Sequence, residues 1–171
     1  IGGSQRVTVQ LRPRTAGIYE FKNEGTLAIG SVMFHRSGSA GDMTFVFSGS
    51  GNTTIGNLQR RNANYQASVV VNGPGQVTIT GFANDSPEAT SFAIRGTTTL
   101  NGGTLRIQDE RSLGLEPEEF NESHLTLNGG TLAAYGSMVM DDANRGVTVG
   151  ANGGTIAVEP GFTFTLASPL T

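Results

Sequence analysis

Asn101-Gly102-Gly103-Thr104-Leu105, Asn128-Gly129-Gly130-Thr131-Leu132 and Asn152-Gly153-Gly154-Thr155-Ile156 are one phrase written three times. The copies begin at residues 101, 128 and 152, steps of 27 (128 − 101) and 24 (152 − 128) residues. A short β phrase returning at that interval marks a solenoid, in which each repeat is one coil. Glycine reaches the φ > 0 conformations that a sharp corner demands, and Asn tolerates left-handed geometry better than most residues. Asn-Gly is also a hairpin signal, so an antiparallel sandwich or barrel is the rival reading. The interval favours the solenoid, because three short strands and their corners use about that much chain.

Working outward, apolar residues alternate with polar ones along most of the chain. Val7, Val9 and Leu11 form one set, and Met43, Phe45 and Phe47 another. Val77 and Ile79 follow Asn72-Gly73-Pro74-Gly75. Later sets are Leu105 and Ile107, Leu125 and Leu127, Leu132 and Ala134, Met138 and Met140. The series closes with Val147 and Val149, Ile156 and Val158, then Phe162, Phe164 and Leu166. Period-2 alternation puts one apolar face inward and a Thr-rich face outward. The fold class expected is therefore all-β, a parallel β-helix with coils of about 20–27 residues.

Composition agrees. Glycine supplies 25 of 171 residues, about twice the usual ~7% share, and charged residues supply 15% against a typical ~25%. That balance suits many tight turns between short strands. Net charge is −3, which argues against nucleic acid, whose phosphates need a basic face. Arg60-Arg61, the one adjacent basic pair, reads as a solvated loop. The absence of Cys excludes disulfides and thiolate metal sites. No apolar run reaches the ~18 residues of a membrane span. The chain opens at Ile1 rather than Met, which reads as a processed or excised piece.

Residues 1–42 match the repeat least well and are expected to form a degenerate coil or a terminal cap, with repeat coils over 43–171. A helical turn or protruding loop is expected over 109–119, where Pro117 and its acidic neighbours suit a first helical turn. Residues 83–88 read as another protruding loop.

Thr99-Leu100-Asn101-Gly102-Gly103-Thr104-Leu105 followed by Arg111-Ser112-Leu113-Gly114 resembles autotransporter-associated β-strand repeats, also called passenger-associated transport repeats. Leu125-Thr126-Leu127-Asn128-Gly129-Gly130-Thr131-Leu132, Asn144-Arg145-Gly146-Val147-Thr148-Val149 and Gly153-Gly154-Thr155-Ile156-Ala157-Val158 are similar to them in the same order. Phe47-Ser48-Gly49-Ser50-Gly51-Asn52 and Val71-Asn72-Gly73-Pro74-Gly75-Gln76-Val77 look like their opening strands. The resemblance covers roughly residues 43–171. It implies a right-handed parallel β-helix in a secreted or surface-displayed bacterial protein, and it brings no catalytic residues. No membrane-barrel domain accompanies the repeats, so an autotransporter mechanism is not implied.

Some β-helices cleave acidic polysaccharides, which takes clustered carboxylates or a Ca²⁺ site beside a basic residue. Asp141-Asp142 with Arg145 is the best such group, and it reads more readily as a solvated corner, since adjacent strand residues face opposite ways. Asp109-Glu110 with Glu116 to Glu119 forms an acidic loop able at most to hold Ca²⁺ weakly. His35 and His124 are far apart in sequence, and His124 is expected at an outer or corner position. Tyr19, Tyr65 and Tyr135 are too scattered to predict a sugar-stacking platform. No residue is assigned as catalytic, cofactor-binding or metal-ligating. The function expected is a non-enzymatic extracellular structural solenoid: a stalk, matrix or adhesive component able to self-associate through its ends into a filament. The alternative is a module that binds or cleaves surface glycans.

Overall fold

In the computed structural model, residues 5–11, 15–34, 42–60, 66–81 and 92–171 are described. One ladder runs, in order, through β1 (Gln5–Leu11), β3 (Thr26–Phe34), β5 (Asn52–Arg60), β7 (Gln76–Ile79), β10 (Thr104–Ile107), β12 (Thr131–Ala134) and β15 (Thr155–Val158). A second contains β2 (Gly17–Lys22), β4 (Met43–Ser48), β6 (Ala67–Val71), β9 (Thr98–Leu100), β11 (Asn121–Leu127) and β14 (Arg145–Val149). A third side carries β13 (Met138–Met140) beside β16 (Phe164–Leu166). These pairings are all parallel; β8 (Phe92–Ala93) lies antiparallel to the end of β5. The molecule is thus a β-solenoid, and the hairpin alternative is excluded for its corners. Chain from the first 42 residues enters the same two ladders, β1 beside β3 and β2 beside β4.

Parallel register stacks like residues. Phe45, Val69, Thr98, Leu125 and Val147 form one inward column across the second ladder. Leu27, Thr53, Val77, Leu105, Leu132 and Ile156 form another across the first. The alternation that puts Met43, Phe45 and Phe47 on one face of β4 buries all three. Phe21 stacks on Phe45 and Phe47 with ring centroids 5.7 and 5.2 Å apart. Each buried side chain of this size contributes about 1.5–3 kcal/mol.

The corners work differently from expectation. Among the described residues no non-glycine residue has positive φ, so Asn101, Asn128 and Asn152 do not use left-handed geometry. Instead they are joined between coils through the Asn128 side chain. Asn128 Nδ2 donates to Asn101 Oδ1 at 3.2 Å, and Asn152 N donates to Asn128 Oδ1 at 3.2 Å. Glycine takes the special conformation, with φ +60° at Gly103, +106° at Gly129 and +69° at Gly153. A Cβ on Gly103 would also sit 2.2 Å from the Gly73 carbonyl oxygen of the neighbouring coil.

On the outer face, a clamp ties successive coils. Arg106 donates from Nη2 to Glu159 Oε2 at 2.8 Å and lies 4.3 Å over the Tyr135 ring. The Tyr135 hydroxyl donates to the Ile79 carbonyl at 2.9 Å. The helical turn within 109–119 is a short 3-10 turn at Glu110–Leu113, before Pro117 rather than beginning at it. Asp109 caps it through Arg111 N, which explains why a short acceptor stands there.

Candidate functional site

A departure from regular register occurs where β11 meets β14, and the β1–β3 pair carries another between Val7 and Gln10. Asn121 faces Arg145 and Leu125 faces Val147, so β11 advances from 121 to 125 while β14 advances from 145 to 147. The surplus residues make a bulge, which bends a strand and re-aims its side chains. His124 and Leu125 are consecutive and both are buried, which strict alternation forbids. The expectation that His124 is an outer or corner residue is therefore overturned: it is only 4% exposed, because the bulge turns it inward.

Arg145 was expected at a solvated corner and is instead 1% exposed. Its Nη1 donates to His124 Nδ1 at 3.0 Å, and its Nη2 donates to the Gly114 carbonyl at 3.1 Å. Its Nε is buried without a hydrogen-bond partner. Burial pulls the guanidinium pKa down, while the charges of Glu110, Asp142 and Glu116 act in the opposite direction. Burial first, and the Arg145 charge second, lower the His124 pKa to about 4. Burial also raises the Glu110 carboxyl, partly countered by Arg145. An arginine has no acceptor and stays charged, so Nδ1 of His124 must offer its lone pair. The neutral ring then carries its proton on Nε2.

Between the 3-10 turn and β11 the chain from 115 to 120 forms an arch on which Glu116, Glu118, Glu119 and Phe120 are exposed. Asn144 Nδ2 holds it by donating to the Pro117 carbonyl at 3.0 Å, and Glu118 pairs with Arg95. Under the arch lies a cleft of about 730 Å³. Its walls include Glu116, Glu118, Glu119, Phe120 and Arg95, and His124 forms part of its lining. Phe120 is 53% exposed. The volume lies within the ~300–1,000 Å³ range of small-molecule sites.

The other candidates are dispersed. Asp141 is exposed, whereas Asp142 is half-buried and accepts from Asn144 N at 2.9 Å. The two carboxylates do not face one another across a common site with an accessible Arg145. Asp109 is occupied by Arg111, whose Nε and Nη2 donate to its two oxygens at 2.8 and 2.7 Å. Among the described residues, no group of three His, Asp or Glu is placed to hold a metal ion. Tyr19 packs against Phe45 and Tyr135 belongs to the Arg106 clamp, so these two form no platform. Tyr65, His35, Arg61 and the loop at 83–88 lie outside the described residues, as does the side chain of Arg60. Reading the sequence for tyrosines missed Phe120, whose one legible signal is an aromatic directly after an acidic run in a protruding segment. Among the described residues no helix is long and apolar enough to cross a membrane.

No family model, curated protein or solved structure matches the chain.

Proposed function

We propose that this chain is a non-enzymatic structural solenoid that builds an extended rod outside the cell, growing by end-to-end stacking of coils. One observation carries the reading: strands stack in parallel register through both long ladders, so each coil presents its neighbour with a complementary edge. Ile156 is 37% exposed although its register partner Leu132 is 1% exposed, and Val158 stands in the same relation to Ala134. On the β14 side the next rung has begun within the chain itself: Leu170 bridges Val147 in parallel, and Val149 N donates to the Thr171 carbonyl at 3.1 Å. Parallel strands at both ends of each ladder have the same polarity. A head-to-tail contact between copies therefore extends the two long ladders and does not close, which is the geometry of a filament. The resemblance of the repeats to autotransporter-associated β-strand repeats supports a secreted or surface-displayed stalk or matrix component.

The test is sedimentation at two protein concentrations with electron microscopy of the more concentrated sample. The expected result is lengthwise association that Ile156→Lys with Val158→Lys abolishes. A species that stays monomeric at both concentrations would overturn the stacking.

A further inference from the structure

The cleft beneath the arch has a chemistry that a purely structural rod does not use. Four carboxylates line it, from Glu116, Glu118, Glu119 and Glu122, against the one guanidinium of Arg95. Arg95 is already committed to Glu118. Three carboxylates remain, which favours a cationic ligand and repels a polyanion.

Acidic residues alone do not make a site, and the second feature here is His124. The ring is almost wholly buried and lines the cleft. Arg145 donates to Nδ1 and so fixes the proton on Nε2. Nε2 has no hydrogen-bond partner among the described residues. His124 thus brings an oriented N–H donor to the lining of the cleft, in a ring that burial and the adjacent guanidinium keep neutral. Such a donor calls for a neutral oxygen acceptor on the ligand, a hydroxyl or ether, since a simple amine cation offers none. A third feature is the exposed ring of Phe120 on the wall, which offers an apolar face to C–H groups and a π face to a cation.

We propose that this cleft binds an amino sugar in its protonated, free-amine form. The ammonium meets the rim carboxylates, a sugar oxygen accepts from His124 Nε2, and the apolar face of the pyranose lies on Phe120. Uronic-acid polymers are excluded by the sign of the rim.

Titration of the intact chain with a glucosamine tetramer, followed by NMR shifts of the Phe120 ring and the His124 imidazole, tests this. The free-amine tetramer should bind at least ~10-fold more tightly than its N-acetylated counterpart, and more weakly as salt is raised. An oligogalacturonide should not bind. Phe120→Ala, at an exposed position where folding is not at stake, should weaken binding about 3-fold or more. Glu116→Gln with Glu119→Gln should weaken it further and reduce the salt dependence. Equal affinity for the acetylated tetramer would overturn the proposal, as would no binding of either. Binding of spermine as tight as that of the tetramer, unchanged by Phe120→Ala, would reduce the cleft to a non-specific cation trap and overturn it equally.

Discussion

At the scale of single residues, Arg145 and His124 show how a buried charge is tolerated. The guanidinium has hydrogen bonds to an imidazole and a carbonyl, and three carboxylates lie near enough to act on it. Protonating His124 would place a second cation against the first, in a site with little water to screen either. The sign of the pH dependence follows. His124 is a base whose folded pKa lies below its ordinary value, so the unfolded chain takes up its proton first on acidification. Stability from this group is fully present above pH 6.5 and is lost as pH falls toward about 4, on the order of 3 kcal/mol. The raised carboxyl of Glu110 acts in the opposite sense: its contribution is present at low pH and is lost as pH rises through its folded pKa. His124→Gln, which can still accept from Arg145 without titrating, should flatten the acid-side decline when midpoints of urea unfolding are compared between pH 7 and pH 4.5. An unchanged decline would place its cause elsewhere. Gly103 is the other decisive single residue. Gly103→Ala forces a Cβ against two carbonyl oxygens at 2.2 and 2.4 Å, at φ +60°, and should cost about 1–3 kcal/mol in denaturant unfolding.

At the scale of elements, the Asn corner is a repeated device that joins coils through side chains as well as backbone. Asn128 is the middle rung, accepting from Asn152 and donating to Asn101. Asn128→Ala should lose about 1–2 kcal/mol, more than Asn101→Ala, because it breaks two hydrogen bonds rather than one. Thermal unfolding of the two variants side by side checks the ranking. The bulge in β11 is the opposite kind of device, a local irregularity that interrupts the repeat. It brings a polar pair into the core beside the 115–120 arch. Bulges that re-aim a side chain beside a cavity are a common way for a repetitive sheet to acquire a specific site.

At the scale of the whole molecule, the solenoid has two kinds of surface. Its sides are closed by corners and by clamps such as Arg106 with Glu159 and Tyr135. The coil built from β15 and the end of β14 exposes Ile156, Val158 and Val149. Covering them would bury apolar area worth roughly 25 cal/mol per Å². The paired lysine substitutions at Ile156 and Val158 should therefore remove association while leaving the melting of the coils upstream little changed, since both positions are already exposed in the single chain. A calorimetric scan alongside sedimentation separates the two effects.

The repeat phrase and the period-2 alternation were enough to determine the parallel stack, because in a solenoid the strand pairing joins each coil to its neighbours and the interval alone states which residues align. Met43, Phe45, Leu105 and Leu132 are buried where alternation puts them. Tertiary structure alone decided the rest. A bulge is a mismatch of count between two strands 20 or so residues apart, and neither strand reveals it by itself. So Arg145 and His124, which look like surface residues in a polar corner, are core residues, and His124 also lines a cleft. The same limit applies to the corner Asn residues, whose role lies in hydrogen bonds between coils and not in their own backbone angles.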